Sequence, residues 1–169
     1  MKNILAAFLL AIVLAGVSLA QSGKPRVAVV EFKDSTGMMT YEAKRQLQAS
    51  IAFEMVKKRD FDVPDVRNTR AATPGPDVSV PAAVKIGKHM NVSYVLIGTV
   101  TDYSTNAGRM TVRTQLVNVA TGKVILSGET TGEAARPMTP NAGHAEMSTK
   151  VVKPMIQKLF ATLVAAKLS

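Results

Sequence analysis

Thr121-Gly122-Lys123 is the first place in this chain where residue types and spacing suggest chemistry, since such a triplet can end a phosphate-binding loop. That loop needs a strand, Gly-x4-Gly-Lys-Ser/Thr and then a helix, so that backbone N–H groups converge on phosphate. Here the first glycine position is Val117, the hydroxyl position after the lysine is Val124, and the strand-like run Val124-Ile125-Leu126 follows. Ala120 to Lys123 is therefore read as a hairpin turn with Gly122 at positive φ. Asp34-Ser35-Thr36-Gly37 resembles a phosphorylated aspartyl motif but has no lysine between Asp and Thr, and it reads as a turn that hydrogen-bonds its own backbone. Glu31 with Asp34 is a carboxylate pair only in principle. His89 and His144 lack zinc spacing, and His89 is expected to close a helix, where a cation suits the dipole. There is no Gly-x-Ser-x-Gly elbow for a nucleophilic serine. No catalytic, metal or cofactor residue is assigned, and a non-enzymatic protein is expected.

The elements that would position these residues follow an export signal. Met1-Lys2-Asn3 is a short positive start, Ile4 to Leu14 is apolar, and Val17-Ser18-Leu19-Ala20 offers small residues for cleavage between Ala20 and Gln21. Ile4 to Ala20, at 17 residues including Gly16 and Ser18, sits at the short edge of a spanning helix. Residues 1–20 are thus expected to be a signal peptide and 21–169 one domain, exported to the periplasm, with the outer membrane as a candidate place of association. With 0 cysteines the chain has neither disulfides nor a lipid-bearing cysteine at that cleavage point. The formal charge is +9, and export makes an anionic envelope surface a candidate contact rather than nucleic acid.

Arg26 to Phe32 reads as a strand covered on both faces. Thr40 caps a helix to about Arg59 whose apolar arc is wide: Leu47, Ile51 and Met55 form a row, with Ala49, Ala52, Phe53 and Val56 around it. Deep burial is the favoured explanation, and a subunit contact through Phe53 and Val56 the alternative. Met38 and Met39 are adaptable partner contacts or are partly buried on the sheet. Phe61 to Pro64 reads as a short strand, Asp65 to Val78 as a surface loop, and Ser79 as the cap of a second helix with Pro81 in its first turn. Tyr94–Val100, Arg109–Val119 and Lys123–Thr130 read as strands and Ala134 to Gly143 as a loop. A last helix carries Met147, Val151, Met155, Leu159 and Leu163, with a kink or restart near Val152 ahead of Pro154. The order βαβαβββα predicts an α/β sandwich with a mixed sheet.

Three segments carry a family resemblance: Val27 to Gly37, Ile86 to Val100, and Leu116 to Ile125. In order, they resemble the first strand and D-x-T-G turn, the helix-to-strand unit and the T-G hairpin of the CsgG family, whose fold is similar to the N-terminal domain of TolB. The resemblance implies a binding or assembly role at the envelope, in curli-type or outer-membrane assembly and transport, with self-association. The chain departs from the channel pattern: only six residues separate Asp102 from Arg109, and four separate Gly37 from Glu42, too few for membrane hairpins or a constriction loop. The alternatives are a periplasmic regulator of penicillin-binding proteins resembling LpoB, and a small-ligand module or enzyme.

Overall fold

Val27, Ala28, Val29 and Val30 are all buried because the sheet they enter is covered on both faces. The structure is a computed structural model that describes residues 24–57, 59, 61–75, 77–134, 148–158 and 161. The signal-peptide reading with Ala20 and Gln21, most of the predicted 134–143 loop, and His144, Met147, Leu159 and Leu163 lie outside the described residues.

β1 (Val27–Val29) runs parallel to β3 (Tyr94–Ser104), with Val27 opposite Tyr94. The chain leaves the ladder and rejoins β3 as β2 (Lys33–Asp34). Gln48 serves the gap, its Nε2 donating to the Val29 carbonyl at 2.7 Å. β3 then pairs antiparallel with β4 (Arg109–Asn118), and β4 with β5 (Val124–Glu133), which gives the mixed sheet order β1-β3-β4-β5 with β2 beside β3. A bulge between Val100 and Asp102 resets the alternation, so Tyr103 joins the same core as Val100.

One core holds Val29, Leu96, Val112 and Leu116 under helix α1 (Tyr41–Lys57) and a last helical segment, α4, at 148–158. The other holds Ala28, Val95, Ile97 and Val117 under α3 (Val80–His89). Close approach demands glycine at three described places, and a Cβ on Gly87 would lie 2.3 Å from Val119 Cγ2. A Cβ on Gly98 would lie 2.6 Å from the Phe32 ring, and one on Gly132 would lie 2.5 Å from the Val151 carbonyl oxygen, where α4 seats on β5. The predicted caps are in place: Ala43 N–H donates to Thr40 Oγ1 at 3.1 Å, and Ser79 accepts from Ala82. Ser148–Val152 is wound as wide π-type turns and narrows to α-helix from 153, so the geometry does change at Val152 as expected. Pro154 supplies the reason, since its ring crowds the carbonyl four residues back and it has no N–H to donate.

Three expectations are corrected. Phe61 to Pro64 is not a paired strand; only a single bridge joins Asp62 to Arg26. The stretch read as a loop contains α2 (Val66–Ala72), capped by Asp65, which accepts from Arg67 N–H at 2.7 Å. The cap was visible in the sequence, but Pro74, Gly75 and Pro76 masked a helix of 7 residues. Deep burial does not explain the wide arc of α1 either. The Ala43, Leu47, Ile51 and Met55 side faces the core, whereas Phe53 is 65% and Val56 53% exposed.

Candidate interaction surface

The two motifs that resembled phosphate chemistry are turns. Gly122 has φ +69°, its N–H donates to the Asn118 carbonyl at 2.9 Å, and Thr121 N–H donates to Asn118 Oδ1 at 3.0 Å. Asp34 is consumed by its own loop: Oδ1 accepts from Thr36 N–H at 2.9 Å and Thr36 Oγ1 at 2.6 Å, and Oδ2 accepts from Met39 N–H at 2.9 Å. Partial burial raises the Asp34 pKa, but the donors of Thr36, Met39 and Gly37 together outweigh it and hold the group below its ordinary 3.8. Burial, and then the Asp34 charge, push the Tyr103 hydroxyl above its ordinary 10.0. Ser35 Oγ ties the loop to the sheet by donating to the Val100 carbonyl at 2.7 Å. This network fixes the entry to α1.

The loop also separates the two methionines. Met39 is buried in the core beside Ala43, which corrects its reading as a partner contact, while Met38 is 70% exposed. From Met38 the exposed side continues along α1 as Tyr41, Arg45, Ala49 and Phe53 at four-residue spacing, with Val56 beside them. Arg45 stacks over Tyr41, its guanidinium carbon 5.2 Å from the ring centroid. The helix therefore has two apolar sides: Leu47, Ile51 and Met55 bind the sheet, and the opposite side is open among the described residues.

A groove of about 430 Å³ runs between α1 and α4, bounded by Gln46, Ala49, Ser50, Phe53 and Glu54 on one wall and Thr149, Lys153 and Ile156 on the other. Phe53 and Ala49 line it as well as standing on the outward row. The groove was not legible in the sequence, because it depends on how α4 settles beside α1; only the repeat Tyr41-Arg45-Ala49-Phe53 signalled that face. A second, smaller cavity of about 130 Å³ lies at Lys33, Asp77, Thr99 and Arg113. Its cations already have partners: Lys33 with Asp77 at 2.7 Å, and Arg113 with Glu129 at 3.3 Å. Small-molecule sites enclose about 300–1,000 Å³, so this cavity is undersized for one. Among the described residues no three His, Cys, Asp or Glu side chains gather as a metal site, and no helix is long and apolar enough to cross a membrane. His89 is in the last turn of α3.

No family model and no curated protein sequence matches the chain. Solved structures do. A PelC dodecamer from Paraburkholderia phytofirmans superposes with TM-score 0.51 at 20% identity, over 80% of this chain and 88% of that one. Lipoprotein GNA1162 from Neisseria meningitidis gives 0.53 at 19%, over 85% and 99%. Escherichia coli LpoB gives 0.52 at 18%, over 63% of this chain and 56% of its own. The CsgG resemblance is corrected accordingly: the curli channel is not among these neighbours. Its supposed signature residues serve general needs of the fold, since Gly122 makes a turn and Gly98 makes room for Phe32. The likeness shows a mixed-sheet α/β fold shared with PelC, GNA1162 and LpoB.

Proposed function

We propose that this chain is an exported, non-enzymatic protein of the bacterial cell envelope that works by binding protein through the outer face of α1. The observation that carries the reading is the placement of Tyr41, Phe53 and Val56 on one side of α1, with Met38 in the loop that enters it, all more than half exposed and beside the groove against α4. Large apolar side chains gathered on a surface mark contact sites, whereas scattered ones do not. Support for the compartment comes from the amino-terminal segment and from fold neighbours that include a lipoprotein. Support for binding over catalysis comes from the Asp34 and Gly122 motifs, whose polar groups are spent on local turns.

The likeness to LpoB favours one more specific reading, a regulator of penicillin-binding proteins. The test is cell fractionation of the tagged full-length chain, followed by retention of purified penicillin-binding proteins on the immobilised protein. A processed chain in the periplasmic fraction, with retention abolished by Phe53→Glu, is the expected result. Cytoplasmic residence would sink the envelope reading. Retention untouched by Phe53→Glu would remove α1 as the contact, and absence of retention would end the LpoB-type reading.

A further inference from the structure

We propose that the protein which covers α1 is a second copy of this chain, packed antiparallel about a two-fold axis beside Ala49. The inference rests on the reading that the outer face of α1 binds protein, and it names that protein. Three features of the helix make the face complementary to itself.

The first is length and centre. α1 runs from Tyr41 to Lys57, and its middle residue, Ala49, is exposed on the outward row. A small side chain at the crossing point lets two helices approach to the close end of the usual 8–10 Å separation. The second is the placement of the bulky groups. Phe53 stands one turn after Ala49, so in an antiparallel pair it falls over the opposite helix one turn before the crossing, at Arg45 between Glu42 and Gln46. Val56 on one copy likewise meets Arg45 and Tyr41 on the other. Each copy brings the same bulky end and the same small residue at the crossing, as an isologous interface requires.

The third is charge. Glu42 occupies the first turn and Lys57 the last. Antiparallel packing sets Glu42 of each copy beside Lys57 of the other, once at each end, and aligns the two helix dipoles favourably. Parallel packing would set like against like. Among the described residues of its own chain, Lys57 pairs with Glu54 at a loose 3.8 Å.

The chain contains 0 cysteines, so a single introduced thiol reports geometry without ambiguity. Ala49→Cys in the chain purified after export is expected to form a disulfide-linked dimer under mild oxidation, while Asn106→Cys on the β3–β4 turn stays uncrosslinked. Light scattering on the unmodified chain should give twice the single-chain mass, and Phe53→Glu should give the single-chain mass with an unchanged circular dichroism spectrum. Glu42→Lys and Lys57→Glu should each weaken association about tenfold, and the two together should restore it. A single-chain mass up to millimolar concentration would overturn the proposal. So would an oligomer in which Ala49→Cys fails to crosslink, because a head-to-tail ring never sets Ala49 against itself. If the unmodified chain is monomeric yet retains an envelope protein that Phe53→Glu loses, the dimer falls and the proposed function stands.

Discussion

Asp34 shows how a reactive-looking residue becomes structural. Its two oxygens accept from Thr36 and Met39, and these contacts close the turn that aims α1 at the sheet. Hydrogen bonds to a charged group contribute about 1.5–3 kcal/mol each in mutational comparisons. Asp34→Asn should therefore cost about 2 kcal/mol in urea denaturation at pH 7. The sign with pH follows from the lowered pKa: the native state binds the proton less tightly than the unfolded chain does. The stabilisation is complete above about pH 3.8 and fades as pH falls through the lower native value, so the two proteins should converge in strongly acid solution. A gap that stayed constant from pH 7 to pH 2 would refute this account. Gly98 offers a second residue-scale prediction. Gly98→Ala drives a methyl group into the Phe32 ring and should cost about 1–3 kcal/mol, and Phe32→Leu in the same chain should return part of it. Additive losses in the double variant would show that the ring is not the obstacle.

At the scale of elements, α1 can be tested one face against the other. Ile51 is fully buried and Phe53 is two residues away on the open side. Ile51→Ala should lower monomer stability by about 2–5 kcal/mol, whereas Phe53→Ala should stay within about 0.5 kcal/mol at dilute concentration. Equal losses would mean that Phe53 is covered within its own chain. α2 is held by a cap and a short apolar contact, and Asp65→Ala should cost about 1 kcal/mol by thermal denaturation. The same scale explains why the sheet can be crossed by helices on both sides. β3 alternates Val95 and Ile97 towards α3 with Leu96 and Val100 towards α1, and the bulge at Thr101 hands Tyr103 to the α1 side.

For the whole molecule, charge and apolar contact act in opposite directions. The full chain carries a net +9, and without residues 1–20, which hold one lysine and no acid, +8, so two copies repel, and the Glu42–Lys57 pairs at the rim offset only part of that repulsion. Screening acts over about 10 Å at 0.1 M salt. Self-association measured by sedimentation should therefore strengthen a few-fold between 0.05 and 0.3 M sodium chloride. An association that weakened with salt would show that paired charges, rather than Phe53 and its neighbours, hold the copies together.

By itself the sequence determined the features that are local in cause. Thr40 and Ser79 were legible as caps because a hydroxyl and an N–H three residues on suffice to make one, and Gly122 as a turn because positive φ is a property of one residue. The mixed sheet followed from apolar runs separated by turn residues, and the change of winding near Val152 from the position of Pro154. Other features depend on which surfaces meet. Met38 and Met39 are chemically identical neighbours, and only the fold of the Asp34 loop sends one to solvent and one to the core. The wide apolar arc of α1 has no preferred inward side until the sheet and α4 claim Leu47, Ile51 and Met55, and that choice leaves Phe53 exposed. The groove beside it exists only where α4 and α1 lie together, a contact between residues about a hundred positions apart that no local pattern encodes.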